Sequence, residues 1–302
     1  MSKFKWDGNN IPNQKDRTAI VTGSSSGIGY EAARVLANKE AEVIIAVRNT
    51  RKGEAAMKKI KEQNKNANVS VMVLDLASLE SIKKFAAEFK KKYVRLDLLI
   101  NNAGVMIPPY SKTADGFELQ MGTNHFGHFA LTGLLMDLLN KTENSRVVNI
   151  SSAAHKYGSL DFDDLNWENR RYKAWNAYGD SKIANLYFTY ELQRRLHKSG
   201  SRVLVTAAHP GWTATDLQRH SGLFNFMNKF FAMGLEQGTL PTLRAAVDDE
   251  VKGGEFYGPD GWQEWKGNPV VVESNKLSKD SSIAQKLWDV SENLTGIKFN
   301  LD

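Results

Sequence analysis

The chain has 302 residues, 41% of them hydrophobic and 25% charged, and a net charge of +6, a composition that suits a globular protein with a sizeable core. It holds no cysteine, which excludes a disulfide framework, a thiolate metal site and a thiol nucleophile. No run of about eighteen apolar residues occurs and the first ten residues lack the apolar core of a secretory signal, so no transmembrane segment and a cytoplasmic location are expected.

Residues 1–16 carry Trp6 and Pro12 without periodicity and read as an N-terminal arm packed on the body. Residues 18–22 are a short apolar run of the kind a buried parallel strand needs. A glycine-rich turn, Thr22-Gly23-Ser24-Ser25-Ser26-Gly27-Ile28-Gly29, leads into an amphipathic helix over 28–39. A second strand at 42–47 precedes a Lys-rich helix over 50–63, and a third strand at 69–74 ends at Asp75-Leu76. Ser78 is a good N-cap for the next helix. A fourth strand is expected at 96–100, a long helix carrying Asn124 over 116–140 and a fifth strand at 146–150. Residues 153–175 are irregular and aromatic; the helix bearing Tyr178 and Lys182 then runs to 198. A sixth strand at 202–206 ends in His209-Pro210-Gly211-Trp212. Further on lie a Phe- and Met-rich segment at 223–233, a helix over 236–249, a short seventh strand at 255–257 and a helix over 283–294. Strand alternates with helix throughout, which argues α/β: one doubly wound parallel sheet of about seven strands with helices on both faces. Without repeat or linker, 1–302 reads as a single domain, with 210–236 as a substrate-side lid and 260–302 as a C-terminal extension.

The chemistry starts from Tyr178-Gly179-Asp180-Ser181-Lys182. Four residues apart on a helix, the phenol and the ammonium share one face, about 6 Å apart along the axis. A nearby Lys⁺ favours the phenolate, which makes proton exchange with a substrate oxygen plausible for Tyr178. Gly23, Gly27 and Gly29 sit between a strand and a helix, where a tight turn lets pyrophosphate approach the N–H groups of a helix N-terminus. With Asn101-Asn102-Ala103-Gly104 after a later strand and Ser151-Ser152 ending another, this order of motifs resembles the short-chain dehydrogenase/reductase family over residues 16–260.

That resemblance implies a Rossmann-type fold and a set of roles. Gly23, Ser25, Ser26, Gly27, Ile28 and Gly29 would meet the pyrophosphate and ribose, Asp75 and Leu76 the adenine, and Asn102, Ala103 and Gly104 the cofactor channel. Pro210, Gly211 and Thr213 would back the nicotinamide. Ser152 would bond the substrate oxygen, Tyr178 exchange its proton, Lys182 lower the tyrosine pKa and hold the nicotinamide ribose, and Asn124 kink its helix and bind a relay water. After the second strand stands Val47-Arg48-Asn49, with no carboxylate for a ribose 2′-hydroxyl, so Arg48 points to a 2′-phosphate and to NADP(H); the other reading is a solvated turn residue.

Finer clues place the resemblance. Asp163-Asp164-Leu165-Asn166, His209-Pro210-Gly211-Trp212 and Leu287-Trp288-Asp289-Val290-Ser291 look like the retinol dehydrogenase and WW-domain oxidoreductase branch, as does the 26-residue gap from Ser152 to Tyr178. The N-terminal membrane helix carried by many retinol dehydrogenases is not expected from these residues, a departure from that branch. Light-dependent protochlorophyllide reductases share the layout, but their chemistry is linked to cysteines. The implied activity is NADP(H)-dependent hydride transfer between the nicotinamide and a carbonyl or alcohol carbon of a small apolar substrate. A rival of another class binds NADP(H) as a sensor or scaffold without turnover; such relatives typically lose the tyrosine or lysine, and both are present here.

The Lys-rich stretches at 58–65 and 83–92 read as solvated helix faces, with no nucleic-acid motif beside them, and their charge helps attract a phosphorylated cofactor. His125, His128, His155 and His209 have no recognisable ligand spacing, so no metal is expected and packing or supporting roles are. Phe224, Phe226, Met227, Phe230, Phe231 and Met233 are read as lid, core, a homo-oligomer contact or a membrane-touching helix.

Overall fold

The computed structural model describes residues 5–211 and 233–301. Strands form at Thr18–Thr22 (β1), Glu42–Val47 (β2), Val69–Val73 (β3), Leu98–Asn101 (β4), Arg146–Ile150 (β5), Leu204–Ala208 (β6), Phe256–Pro259 (β7) and Pro269–Val271 (β8). They make one sheet in the order β3-β2-β1-β4-β5-β6-β7-β8. Pairing is parallel from β3 to β7, and β8 joins β7 antiparallel, with Tyr257 opposite Val271. Helices lie at Gly27–Asn38 (α1), Thr50–Gln63 (α2), Leu79–Lys92 (α3), Leu119–Met121 (α4), Gly127–Lys141 (α5), Ala174–Ser199 (α6), Leu235–Val247 (α7) and Ser281–Thr295 (α8).

The continuous apolar runs follow from burial on both faces. Side chains alternate along a strand, so Ala19 and Val21 pack with Leu36 of α1, Ile60 of α2 and Leu243 of α7, while Ile20 packs with Phe85 of α3, Phe129 of α5 and Leu192 of α6. Local signals set the helix starts: Asn49 caps α2 by accepting from the Lys52 N–H at 3.0 Å, and Ser78 caps α3 from the Ser81 N–H at 3.2 Å. Each such cap contributes about 1 kcal/mol. From the N-terminal arm, Trp6 and Ile11 are buried against the α1 face.

Several expectations shift. The fourth strand begins at Leu98 because Asp97 is buried as an acceptor, taking the Thr18 N–H at 2.8 Å and two bonds from Arg95. The sixth strand starts later too, at Leu204, and the eighth strand, Pro269–Val271, adds an edge to the seven expected. The helix expected over 116–140 is interrupted, since a π-helical turn at Gly122–Phe126 stands between α4 and α5. Of the segment expected as a lid, residues 212–232, Thr213 among them, lie outside the described residues, and Met233 is buried. Among the described residues no helix is long and apolar enough to cross a membrane.

Candidate active site

The sheet reverses direction of winding at β1 and β4, and the loops leaving the carboxyl ends of its strands surround a cleft of about 940 Å³. Its first wall is the glycine turn. Gly23 and Gly27 have φ of +67° and +61°, left-handed values that favour glycine. A Cβ on Gly23 would stand 2.8 Å from Ala103 Cα, and one on Gly29 would stand 2.3 Å from Asn102 Nδ2. The turn is therefore pressed onto residues 102–104. Thr22 fixes that contact: its Oγ1 accepts the N–H groups of Asn102 and Ala103, both at 2.9 Å, and its carbonyl accepts from Asn102 Nδ2 at 2.8 Å. Ser26, the N-cap of α1, makes no side-chain capping bond, so the first N–H groups of that helix are left for an anion.

One rim carries Arg48, which is exposed, with Asn49 and Lys52 beside it and Asp75 and Leu76 across the cleft. The opposite end holds Ser152, Tyr178 and Lys182. Ser152 stands two residues beyond the end of β5 and caps a 3₁₀ turn at Ala153–Tyr157, where its Oγ accepts the Ala154 N–H at 3.2 Å. Tyr178 and Lys182 project from α6, both buried, with the Lys182 Nζ donating to the Ile150 carbonyl at 3.1 Å and lying 5.5 Å from the centre of the tyrosine ring.

Burial dominates the electrostatics here. It pushes the Tyr178 phenol up to about 12, partly opposed by a hydrogen bond with Ser152. Burial likewise pushes Lys182 down to about 8. The net direction for Tyr178 is opposite to the one expected from a neighbouring ammonium alone, because desolvation of the phenolate outweighs the pull of a cation held against the Ile150 carbonyl. In the free protein near neutral pH the phenol thus keeps its proton and the lysine keeps most of its charge.

Asn124 sits inside the π turn and beneath the cleft rather than in its lining. Its Oδ1 accepts the Val105 N–H at 2.8 Å, and its Nδ2 donates to the Val105 carbonyl at 3.0 Å and to Ser181 Oγ at 2.9 Å. Gly104 lies against it, since a Cβ there would meet Asn124 Oδ1 at 3.1 Å and Lys182 Nζ at 3.7 Å. The four histidines are all buried and hydrogen-bonded. Burial lowers His125 to about 3 and His128 and His155 to about 4, which leaves these three neutral.

One cleft therefore gathers Gly23, Ser25, Ser26, Gly27, Ile28, Gly29, Arg48, Asp75, Leu76, Asn102, Ala103, Gly104, Ser152, Tyr178, Lys182, Pro210 and Gly211. Asn124 reaches it through Val105, and Thr213 is outside the described residues. Sequence reasoning missed other walls. Lys52, in the first turn of α2, joins Arg48, which precedes the Asn49 cap of that helix. Met106, Pro108, Tyr157, Trp175 and Trp265 line the mouth. Glu264 enters from the C-terminal extension, with its carboxylate 2.8 Å from His209 Nε2 and 3.4 Å from Lys156 Nζ. The Gly211 N–H donates to His209 Nδ1 at 3.3 Å, so Nε2 carries the ring proton toward Glu264. Hydrogen bonding from His209 holds the Glu264 carboxyl below its ordinary range. No local pattern marks Glu264, since Gln263 and Glu264 are non-glycine residues with left-handed φ of +51° and +58°.

Comparison with known proteins agrees with this layout. The model of the short chain dehydrogenase family matches residues 17–223. Human retinol dehydrogenase 13 is 41% identical over 293 residues, covering 93% of this chain and 85% of the relative. A crystal structure of an uncharacterised protein from Mycobacterium paratuberculosis is 42% identical, with a TM-score of 0.84 over 98% of this chain and 100% of the other. A short chain dehydrogenase from Shigella flexneri complexed with NADP is 26% identical, with a TM-score of 0.66 over 82% of this chain and 98% of the other. The extent of the family match and the likeness to several retinol dehydrogenases at about 40% identity make this chain a member of the short-chain dehydrogenase/reductase family of oxidoreductases, in its retinol dehydrogenase-like branch.

Proposed function

We propose that this protein is an NADP(H)-dependent oxidoreductase acting on apolar aldehydes, ketones or alcohols, with Tyr178 as its acid and base. The observation that carries the reading is the placement of Ser152, Tyr178 and Lys182 at one end of the cleft whose other end is the glycine turn and Arg48. The cradle fits a dinucleotide. Gly23 and Gly29 leave room that a Cβ would fill, the α1 N-terminus has no side-chain cap, and Arg48 with Lys52 puts two cations where a 2′-phosphate would lie. The NADP bound to the Shigella flexneri relative supports the same choice.

When bound, NADP(H) supplies or accepts the hydride. The chain's own residues handle the oxygen. In reduction, the Ser152 hydroxyl donates to the carbonyl oxygen and holds it, and Tyr178, whose phenol stays protonated near neutral pH, delivers the proton. The phenolate left behind is stabilised by the Lys182 ammonium on the same helix face. Asn124 keeps Val105 and Ser181 in place beneath that group. The mouth residues Met106, Pro108, Tyr157, Trp175 and Trp265 favour a flat apolar substrate, and the retinol dehydrogenase names of the relatives support that class.

The test is a panel of aldehydes, ketones and alcohols read by NADPH absorbance, run on wild type and Tyr178→Phe. Wild type should turn over at least one apolar carbonyl, and Tyr178→Phe should lower turnover by about 100-fold or more while NADPH still binds. Wild-type turnover in the variant would refute the acid–base assignment; NADPH binding with no turnover of any panel member would refute the enzyme reading.

A further inference from the structure

Asn124 and the glycine turn lie on opposite sides of the cleft floor, and one buried ring spans the distance. His128 Nδ1 is 3.0 Å from the Asn124 carbonyl, and its Nε2 is 2.9 Å from Thr22 Oγ1. A carbonyl can only accept, so Nδ1 carries the ring proton and Nε2, in this neutral ring, accepts from the Thr22 hydroxyl. That hydroxyl has one proton to give, and two acceptors face it, His128 Nε2 at 2.9 Å and the Ile100 carbonyl at 3.3 Å, of which the imidazole nitrogen is nearer; its lone pairs take the N–H groups of Asn102 and Ala103.

The far side continues in a consistent direction. Asn124 Nδ2 donates to Ser181 Oγ at 2.9 Å, and Ser181 Oγ donates to the main-chain carbonyl of Tyr178 at 2.8 Å. A single buried path of hydrogen bonds thus joins the backbone of Tyr178 to the backbone of Asn102 and Ala103, the strip on which the glycine turn rests. His128 is its midpoint, and it offers donor and acceptor from one rigid ring. Any buried ring needs its nitrogens satisfied; what sets this one apart is that its two partners are tied to opposite ends of the cleft.

We infer that His128 is a positioning residue that couples the acid–base helix to the dinucleotide turn, holding Asn124 through Nδ1 and Thr22 through Nε2. This rests on the cofactor and acid–base reading above. Through Nδ1 it fixes the π turn, and so the support under Ser181 and Tyr178. Through Nε2 it orients the Thr22 hydroxyl, and so the seat of Gly23 and Gly29.

Two half-variants separate the roles. In His128→Asn the amide nitrogen can stand in for Nδ1 and the link to Thr22 is lost. In His128→Gln the longer amide can stand in for Nε2 and the link to Asn124 is lost. NADPH affinity is read by fluorescence titration without substrate, and kcat at saturating NADPH. His128→Asn should weaken NADPH binding by about tenfold with kcat within about twofold of wild type, and His128→Gln should do the reverse, as expected for losing one buried hydrogen bond at either end. A core filler would lower only the melting temperature. Melting changes alone, or kcat and affinity falling together in both variants, overturn the inference. Should neither variant fold, the imidazole nitrogen shifts of wild-type His128 decide it: a protonated Nδ1 with a bare Nε2 supports the coupling, and the opposite tautomer overturns it. Wild type that binds NADPH but reduces nothing in the panel refutes the reaction alone, and the affinity arm still decides the coupling. Wild type that binds no dinucleotide overturns both.

Discussion

Replacing Gly29 by alanine tests the cofactor cradle with the least chemistry, a single methyl. The added Cβ would stand 2.3 Å from Asn102 Nδ2, 2.9 Å from the Gly23 carbonyl oxygen and 3.1 Å from Ser24 Cα. None of these is a free end. Asn102 Nδ2 is bonded to the Thr22 carbonyl at 2.8 Å, and the other two are backbone of the turn itself. Overpacking of this kind costs about 1–3 kcal/mol, and loss of the Asn102 bond adds about 1 kcal/mol. The sum, about 2–4 kcal/mol, corresponds to a fall in melting temperature of about 4–16 °C at roughly 2–4 °C per kcal/mol for a chain of this class. The same shift pushes the glycine turn off residues 102–104, so NADPH affinity should fall by at least about tenfold. Gly8, where a Cβ meets nothing within 4 Å, is the control; Gly8→Ala should stay within about 0.5 kcal/mol of wild type. Thermal melts and NADPH fluorescence titrations read both quantities. Wild-type melting and affinity in Gly29→Ala would show that the turn can give way, and the close-approach argument would fall.

Arg48→Asp removes the guanidinium offered to a 2′-phosphate and presents a carboxylate to a ribose hydroxyl instead. Charge-assisted bonds of this sort contribute about 1.5–3 kcal/mol, so the NADPH preference in kcat/KM should narrow or reverse by about 10- to 100-fold, mostly through KM. An unchanged NADPH to NADH ratio would return Arg48 to the status of a surface residue. For pH, Lys182 sits near 8, so reductive kcat/KM should hold below that value and decline above it as the ammonium is lost. A profile that stays level through pH 10 would remove the lysine's charge from the mechanism. Stability carries the opposite sign. The folded pKa of Lys182 lies below its unfolded value of about 10.4, so between about 8 and 10 the unfolded chain binds more protons and wild type gains stability relative to Lys182→Met as pH rises. Urea melts without cofactor check this, and a falling or level difference would contradict the burial argument.

The parts of the fold that were legible in sequence are those where local and tertiary demands agree. β1, β2 and β5 lie at the expected residues because strands buried on both faces carry a central apolar run, with polar residues such as Thr18, Glu42 and Arg146 at their edges, and α2 runs over the expected residues behind its Asn49 cap. Where a long-range partner decides, pattern fails. Asp97 ends the apolar reading of β4 through bonds to Thr18 and Arg95, and β8 is three residues long and owes its place to β7. The π turn leaves no mark in the hydrophobic period, because its polar residues Thr123, Asn124 and His125 are buried along with Gly122 and Phe126; only the resemblance, which implies a kink at Asn124, pointed to it. At the cleft, glycine spacing and the Tyr178-Lys182 interval announced themselves, since φ and helix pitch fix them locally. The Glu264–His209 bond joins residues 55 apart in sequence, and the His128 bond to Thr22 joins residues 106 apart; neither leaves a local trace.

The most direct measurement follows the hydride. NADPH carrying deuterium at the transferable position of the nicotinamide, incubated with the best carbonyl substrate of the panel, should leave one deuterium per turnover on the carbinol carbon of the product, read by mass spectrometry. The account predicts that label at that carbon, with its transfer slowed about 100-fold or more in Tyr178→Phe. Product that carries no deuterium there, or label transferred at the wild-type rate without the phenol, would contradict it.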